Sequence, residues 1–439
     1  MTKQPTSRSE ASIDRDRRRV VAGLGALGAA SVLTLRATAQ NAVREAEIVI
    51  IGGGMAGSAT ALQLARHGRD VILLERGEIA SEASGQNMGG VGGAGWGDVP
   101  NLLSYLTMGS LDIFKELQID MGYDLELRQS GSLTAIHTDA QYQYIQDRVI
   151  EMTSTGYDAE LLSPRAALAI EPEANRDLPG YMYLPGRGNA DPVKSTRAFA
   201  AAAETAGASI NTGQNVSAIR VAGDGYSIQT DNAEFRCRIL VLATGAWSGP
   251  VGRMLGLDIP IVPIRGQMWA TQPQPPRVFH VLGSAESSFA WSKDNGGDES
   301  TPPNLTHKNG QRRTRHLYGR QRKNGEIIFG GDRENVGYDF TPDPAGIEVN
   351  RGQAAEVVPL VANLPIARTW AGMMPFSIDG SPIIGKIPLR ENLFIVSGLA
   401  SSGFGRGPMA GKLAADYIHT GHMPRVLAEA DPARCVTEA

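Results

Sequence analysis

The sequence predicts an α/β fold built on a Rossmann-like dinucleotide-binding unit, with a second domain that carries a mixed sheet. The first of three observations is a strand, a glycine-rich turn, a helix and a second strand within residues 47–75. The second is that two further apolar strands run into glycine-rich turns, at residues 243–245 and 398–407. The third is a length of 439 residues, which is too long for one ordinary core.

The first unit consists of the strand Glu47–Ile51, the pattern GxGxxG, a helical stretch over 58–67 and the strand Asp70–Leu74. An acidic residue, Glu75, follows 23 positions after the first glycine. The glycines serve a tight turn, a close approach to a pyrophosphate and close helix–strand packing, and the acidic side chain can accept ribose hydroxyls. A helix N-terminus faces the phosphates. The residues predicted to bind here are Gly52, Gly54, Met55, Ala56, Gly57, Glu75 and Arg76.

A polar, glycine-rich segment follows the second strand, over residues 81–93. Its side chains can donate to phosphates and to flavin carbonyls, which favours FAD over NAD, although GxGxxG alone does not separate the two. The alternative is a flexible surface loop. The residues predicted to bind the cofactor here are Ser84, Gln86, Asn87 and Met88.

The second turn ends an apolar strand that begins at Arg238 and runs into Ala-Thr-Gly, with Gly245 and Trp247 placed near the cofactor. Upstream, residues 198–206 predict a helix, 208–210 a strand, and 215–217 the end of that strand, where the main chain of Val216 is predicted to contact adenine. The alternative is that residues 198–247 belong to the core of an ordinary α/β fold, because their hydrophobic periodicity alone does not indicate a cofactor site.

The third turn follows the strand 392–396 and contains Gly403, Phe404 and Gly405, all predicted to contact the cofactor. A helix is expected over 408–418, with Pro408 near its first turn. Its dipole, aimed at the N1/C2=O edge of a flavin, would stabilise the anionic reduced ring. The alternative is that these residues form an ordinary strand, loop and helix without a role in cofactor binding.

In this order the motifs resemble the FAD-dependent amine and amino-acid oxidoreductases, the family of D-amino-acid oxidase, glycine oxidase and the sarcosine and dimethylglycine oxidoreductases. The resemblance implies oxidation of a C–N bond by hydride transfer to flavin N5, followed by hydrolysis of the imine. The matching segments lie at residues 52–75, 84–87, 188–192, 243–247, 263–267, 322–331, 370–372, 379–385 and 398–411.

The resemblance also implies a domain organisation. A glutathione-reductase-like FAD domain would comprise residues 46–125, 188–255 and 376–430, and an interleaved mixed-sheet substrate domain 126–187 and 256–375. Residues 293–311 are expected to be an insertion loop. The basic run at 312–323 is expected to be a solvated face.

The chain departs from its amino-acid-specific relatives at two positions. Met374 and Ser401 stand where glycine oxidase carries arginines that hold the substrate carboxylate. A small free α-amino acid is therefore disfavoured, and an amine, an N-substituted amino acid or a 2-hydroxy acid is favoured. The replacement cations considered are Arg265, Arg320 and Arg322.

Non-covalent FAD binding is expected, because residues 81–93 contain no histidine and Met373 stands at the approximate place of a linking cysteine. Cys237 is expected to be a small core residue. The seven histidines form no metal cluster in the sequence, and only His316 lies near a likely pocket residue. No catalytic base is assigned; the residues predicted to line the substrate pocket are Tyr318, Trp370, Met374 and Arg265.

Three alternatives stay open at this point: a 2-hydroxy-acid dehydrogenase on the same fold, a flavin-binding protein without turnover, and an NAD enzyme. A nucleic-acid binder is disfavoured, because 42 Lys and Arg face 46 Asp and Glu, a net charge of −4.

The first 39 residues resemble a Tat signal peptide, with three arginines at 17–19, a short apolar run and Ala-Thr-Ala at 37–39. They carry seven positive and three negative charges, so the remainder carries −8. The alternative is an uncleaved membrane anchor. Export to the periplasm by the Tat machinery is expected, with a respiratory electron acceptor favoured over oxygen.

Overall fold

A computed structural model describes residues 43–93, 101–291, 307–308, 311–314 and 316–439, so the predicted signal peptide lies outside the described residues. The α-helices are α1 Met55–Arg66, α2 Leu102–Lys115, α3 Asp139–Ser154, α4 Pro164–Ile170, α5 Pro192–Thr205, α6 Ser248–Arg253, α7 Glu286–Trp291, α8 Pro344–Val357 and α9 Gly403–Thr420. The strands are β1 Arg44–Ile51, β2 Val71–Leu74, β3 Gly90–Val91, β4 Ser132–Ile136, β5 Glu160–Leu162, β6 Gly180–Leu184, β7 Gly188–Asn189, β8 Ser209–Asn211, β9 Val216–Ala222, β10 Gly225–Thr230, β11 Glu234–Leu242, β12 Leu257–Asp258, β13 Ile261–Thr271, β14 Val281–Ser284, β15 His307–Lys308, β16 Gln311–Arg312, β17 Tyr318–Gln321, β18 Ile327–Gly330, β19 Ile366–Ser377, β20 Ile383–Lys386, β21 Leu393–Ser397 and β22 Thr437–Glu438.

The first sheet has eight strands and a parallel centre. β1 pairs in parallel with β2 on one side and with β11 on the other, and β8 and β21 extend the sheet in parallel. Ile48 and Ile50 of β1 face one core, whereas Val49 and Ile51 face another. A continuous apolar run is typical of a parallel strand that is covered on both faces. β20 and the β9–β10 hairpin add antiparallel pairs, so the predicted α/β fold with mixed sheets is confirmed.

Local predictions around this sheet differ from the structure at one strand. Residues 215–217 do not end the strand before them; Val216 begins a separate strand, β9, which pairs with β10. Residues 211–215 are Asn, Thr, Gly, Gln and Asn, a composition typical of a loop between two strands. Cys237 lies buried in β11, as expected of a small core residue.

The parallel pairing brings the carboxyl ends of β1, β11 and β21 to one edge of the sheet. Gly52 follows β1 with φ of 116°, a left-handed conformation that glycine adopts without strain. A Cβ atom there would overlap the carbonyl of Ala243 at the end of β11. The first and second glycine-rich turns are therefore in direct contact.

The last helix begins five residues before the predicted start, because α9 covers Gly403–Thr420 and contains Pro408. A Cβ on Gly407 would lie 2.7 Å from Cγ of Met55, and one on Gly411 would lie 2.7 Å from the nitrogen of Thr60 in α1. These glycines serve the close approach of two helices. The prediction treated the glycines before Pro408 as loop residues, and was wrong for that reason.

The second sheet also has eight strands, in the order β19-β13-β18-β17-β14-β4-β6-β5. Its pairs are antiparallel except for β14 with β4. Trp269 and Phe329 stack in its core with ring centroids 5.7 Å apart, and the Trp269 indole donates to Asn350 of α8 at 2.7 Å. The buried indole N–H is thereby satisfied, which fixes α8 against the sheet.

The two sheets take their strands from interleaved parts of the chain. The first uses residues 44–74, 209–242 and 383–397, and the second uses 132–184 and 261–377. This order is expected of two domains threaded by one chain, and the domain boundaries themselves stay a prediction. None of the helices in the described ranges has the length and apolar character needed to cross a bilayer.

The basic run at 312–323 is not a solvated face. Arg312 forms ion pairs with Glu334 and Asp343, and Arg320 is only 2% exposed. The carboxylates that neutralise Arg312 belong to later segments of the chain. The order of charges within residues 312–323 therefore could not reveal these ion pairs. The expected insertion at 293–311 lies almost wholly outside the described residues.

We predict that Glu326→Gln lowers the free energy of unfolding by about 1–2 kcal/mol at neutral pH. Glu326 accepts two hydrogen bonds from Arg368, at 2.9 Å each, and one from Arg322 at 3.0 Å. The Arg368 guanidinium, chiefly, lowers the pKa of this carboxyl from 4.5 to about 2. A carboxyl whose pKa falls on folding stabilises the fold above its unfolded pKa. The difference between the two proteins should therefore shrink as the pH falls from 4.5 toward 2.

Urea unfolding at a series of pH values measures this. Glu348→Gln, at a carboxylate whose side chain is 58% exposed and pairs with Arg351, is the matched control and should change stability by less than about 0.5 kcal/mol. Equal effects of the two variants would contradict the prediction.

Candidate active site

A cleft of about 1560 Å³, counting its open mouth, is lined by residues of both sheets. It brings together most of the residues that the sequence singled out. Those that line it are Gly52, Gly54, Met55, Ala56, Glu75, Arg76, Ser84, Gln86, Asn87, Val216, Gly245, Trp247, Tyr318, Met374, Gly403 and Phe404.

Three predicted contact residues lie behind this lining. A Cβ on Gly57 would overlap the carbonyl of Gly52, so this glycine lets α1 start against the turn. Met88 is buried and packs in a cluster with Met268. Gly405 faces the carbonyl of Gly90, 2.7 Å from where its Cβ would lie. They shape the cleft without lining it.

Two predicted pocket residues, Arg265 and Trp370, do not line the cleft, which corrects their placement. Arg265 is 5% exposed and pairs with Glu334 at 2.8 Å and Asp339 at 3.0 Å, so it holds β13 to the segment after β18. The Trp370 indole donates to the carbonyl of Gln86 at 3.1 Å and supports the segment after β2.

The N-terminus of α1 lines the cleft and is bonded to the segment that follows β2. The amide of Met55 donates to Oγ of Ser84 at 2.8 Å, and the helix has no side-chain cap of its own at Gly54. Asn87 in turn fixes the segment, since its Nδ2 donates to the carbonyl of Ser84 and its Oδ1 accepts from the amide of Gly89. A helix N-terminus next to glycine backbone that lines a cleft is suited to a pyrophosphate.

Glu75 is fixed by two backbone amides. One carboxylate oxygen accepts from Gly53 at 2.7 Å and the other from Gly77 at 2.8 Å, and the residue is buried. Each oxygen retains a free lone pair for a ribose hydroxyl. The geometry therefore fits the ribose contact predicted from the sequence.

The adjoining wall is flat and aromatic. The guanidinium of Arg76 lies 3.8 Å from the centre of the Trp247 ring, and Trp247 stacks on Tyr338. Behind it, the hydroxyls of Ser248 and Ser397 share a buried hydrogen bond of 2.8 Å, which ties the second turn to the third. Such a wall next to Glu75 suits an adenosine.

The second sheet contributes Met268, Met373, Met374 and Tyr318 to an apolar part of the cleft, and Leu399, which follows β21, lines the cleft as well. Burial raises the pKa of the Tyr318 hydroxyl to about 12. The hydroxyl therefore stays protonated at neutral pH and can donate a hydrogen bond to a bound molecule.

Of the replacement cations considered, none in the structure reaches the cleft. Arg320 donates to the carbonyl of Met88 at 2.6 Å, and Arg322 pairs with Asp191 at 2.9 Å. A further guanidinium, that of Arg333, lies directly behind the cleft lining at Ser401, and the sequence did not single it out.

Arg333 is 4% exposed and donates to Oγ of Ser401 at 2.8 Å. Ser401 lines the cleft. The guanidinium that follows β18 therefore lies beside the position where the sequence resemblance implied a missing arginine. Arg333 comes just past the carboxyl end of β18, after Gly330 and Gly331. This position is the feature of the sequence that could have identified it as a residue near the cleft.

Comparisons with known proteins agree with this geometry. The profile of the family described as FAD dependent oxidoreductase matches residues 47–417. Glycine oxidase of Geobacillus kaustophilus is 25% identical over 377 residues, 85% of this chain and 92% of that protein. Mouse mitochondrial dimethylglycine dehydrogenase is 27% identical over 414 residues, 89% of this chain and 44% of that longer protein. Among solved structures, L-proline dehydrogenase from P. horikoshii aligns with a TM-score of 0.77 and 25% identity, over 89% of this chain and 98% of that one.

We predict that Glu75→Gln weakens FAD binding at least about 10-fold, because a side-chain amide cannot accept from both backbone N–H groups and the ribose at once. Dialysis of the holoenzyme followed by titration with FAD measures the affinity. Glu78→Gln, at an exposed carboxyl three residues along, is the matched control and should bind FAD as the unaltered protein does. Unchanged affinity in the Glu75 variant would show that the carboxylate does not contact the cofactor.

Proposed function

Because the chain belongs to the family of FAD-dependent oxidoreductases, we propose that it oxidises a carbon–nitrogen bond of an amine or an N-substituted amino acid. The observation that carries this proposal is a single cleft that joins the ribose-binding carboxylate of Glu75 to an apolar pocket around Tyr318 and Met374. The relatives named above are oxidases or dehydrogenases of glycine, dimethylglycine and proline, which supports the same bond type.

The residues present fit FAD. The open N-terminus of α1 would hold the pyrophosphate, Glu75 the ribose, and the first turn of α9 the far end of the flavin. Binding is non-covalent in this proposal, since no histidine lies in residues 81–93 and Met373 is buried at the place of a linking cysteine. Bound FAD supplies the hydride acceptor.

The protein's own part is to orient the substrate and exclude water. Tyr318 presents a protonated hydroxyl, and the methionines around it form a dry wall. No Asp, Glu, His or Lys is found among the described residues that line the second-sheet part of the cleft. In this proposal the substrate amine binds in its neutral form, and water hydrolyses the product imine.

An anaerobic titration tests the proposal. The purified protein should absorb near 450 nm, and this band should bleach on addition of amines or N-substituted amino acids but not of 2-hydroxy acids. Readmitted air then distinguishes an oxidase from a dehydrogenase that uses another acceptor. Bleaching by 2-hydroxy acids alone would assign the alternative reaction, and a protein that binds no FAD would overturn the whole assignment.

We predict that Tyr318→Phe lowers kcat/KM about 5-fold without loss of FAD, because one hydrogen bond contributes about 1 kcal/mol. Steady-state kinetics and the 450 nm absorbance of the purified variant measure the two quantities. Tyr105→Phe, at a tyrosine that is 46% exposed, should leave both unchanged. An unaltered kcat/KM in the Tyr318 variant would remove this hydroxyl from the site.

We further propose that residues 1–39 direct export of the folded protein by the Tat route, which would favour a respiratory electron acceptor. The support is the sequence pattern of arginines, apolar run and Ala-Thr-Ala. Replacing Arg17, Arg18 and Arg19 with lysine should retain the protein in the cytoplasm of a Gram-negative host, whereas Arg8→Lys should not. Cell fractionation measures this, and periplasmic protein from the triple variant would contradict Tat export.

A further inference from the structure

Residues 84–90, here called the connecting segment, join the two sheets at the cleft. The first part of the connecting segment is bonded to the first sheet's helix, since Oγ of Ser84 accepts from the amide of Met55 at the start of α1. A later part lies against the second sheet, where the Trp370 indole of β19 donates to the carbonyl of Gln86 at 3.1 Å. The connecting segment is therefore held from both sides of the cleft.

The contacts of the connecting segment follow the cleft from one end to the other. A Cβ on Gly54 would lie 3.0 Å from Oγ of Ser84, in the turn whose preceding amide donates to Glu75. Further along, Met88 is buried in an apolar cluster against which Tyr318 of β17 packs. The connecting segment thus runs from the ribose-binding carboxylate toward the apolar part of the cleft.

Arg320 of β17 binds the second-sheet end of the connecting segment. It is 2% exposed, and it donates from Nε to the carbonyl of Met88 at 2.6 Å and from Nη2 to the carbonyl of Ala190 at 3.2 Å. A Cβ on Gly89 would lie 3.3 Å from the same Nη2, and Gly89 adopts a φ of 85°. A side chain there would be strained and would meet the guanidinium, so glycine lets Arg320 reach the main chain.

The two carbonyls that Arg320 binds belong to parts of the chain that pair with each other. The amide of Ala190 donates to the carbonyl of Gly89 at 2.8 Å, and β3 pairs with β7 through Gly90 and Asn189. A planar guanidinium offers several donors in fixed directions and can bind two carbonyls at once. One side chain therefore ties both paired segments to β17.

Arg320 and Tyr318 project from the same face of β17. Side chains alternate along a strand, and Gly319 between them faces the opposite core, where Cδ1 of Phe329 lies 2.3 Å from the position of a Cβ on Gly319. The residue that anchors the connecting segment and the residue that lines the substrate pocket are thus two positions apart on one strand. The bond from Arg320 to Met88 therefore also fixes Tyr318 relative to the connecting segment.

The guanidinium of Arg320 is charged, and main-chain oxygens are its hydrogen-bond acceptors. Burial, chiefly, lowers its pKa to about 10, so it stays protonated at neutral pH. Hydrogen bonds from a charged donor are stronger than those between neutral groups. Arg322, two positions along the chain, pairs instead with the carboxylates of Asp191 and Glu326. Arg320 is therefore specialised to hold backbone.

We propose that Arg320 is a positioning residue for the cofactor, which holds the connecting segment so that the part of FAD beyond the pyrophosphate is fixed against the second sheet. Arg320 does not itself line the cleft; it acts through the connecting segment, of which Ser84, Gln86 and Asn87 line it. Trp370 supports the same segment. The inference goes beyond the proposed reaction, since it rests on FAD binding and not on the bond that is oxidised.

Titration of the protein with FAD and with ADP, after removal of bound FAD by dialysis, tests this. Arg320→Met should weaken FAD binding at least about 10-fold, because two buried carbonyls lose a charged donor, and should leave ADP affinity within about 2-fold. ADP lacks the flavin and reaches only the end of the cleft at Glu75 and α1. Glu75→Gln, by contrast, should weaken the binding of both ligands.

Further variants separate positioning from a general loss of stability. Arg320→Lys should recover part of the FAD affinity, because an ammonium keeps the charge but lacks the planar fork. Trp370→Phe should weaken FAD binding less than Arg320→Met and again spare ADP, since it removes one neutral donor. Arg128→Met is the matched control and should change neither affinity. Arg128 donates at 3.0 Å to the carbonyl of Gln321, the residue after Arg320, rather than to the connecting segment.

Two results would overturn the inference: unchanged FAD affinity in Arg320→Met, or equal weakening of FAD and ADP, which would report damage to the whole fold. If Arg320→Met yields no soluble protein, Arg320→Lys and Trp370→Phe decide by the same two affinities. Unaltered protein that takes up no FAD would overturn both this inference and the proposed function. Unaltered protein that binds FAD, with Arg320 variants that bind it equally well, would overturn this inference alone.

Discussion

The parallel pairing of β1 with β2 and β11 is the constraint on which the site depends. Because these strands and β21 run in one direction, three glycine-rich turns from distant parts of the chain meet at one edge of the sheet. Their contacts are too close for side chains, as the approach of Gly52 to Ala243 shows. The hydrogen bond between Ser248 and Ser397 then fixes two of the turns to each other. The cleft is therefore a property of backbone geometry.

The charges of two arginines in the second-sheet part of the chain are neutralised within the fold. Arg265 of β13 lies between Glu334 and Asp339, and Arg312 pairs with the same Glu334 and with Asp343. Since Glu334 pairs with both guanidiniums, the segment after β18 is held to two other parts of the chain at once. A buried ion pair of this kind is strongly destabilised when one partner is removed, because the remaining charge is left uncompensated.

The sequence was sufficient where the determining contacts are local. The strand, turn, helix and strand from β1 to β2 follow from spacing alone, and so does the position of Glu75. It was insufficient where contacts join distant segments. Arg333 follows β18 and Ser401 follows β21, and only the folded chain shows that the guanidinium of the first donates to the hydroxyl of the second. The predicted start of α9 was too late for the same reason. Its glycines allow close packing against α1, a distant segment, and do not form a local turn.

The close packing of α9 on α1 sets the width of the cleft from outside its lining. The first turn of α9 lines the cleft, whereas Gly407 and Gly411 of the same helix meet Met55 and Thr60 of α1 with no room for a side chain. A larger residue at either glycine would move the two helices apart, and the walls of the cleft that they carry would move with them.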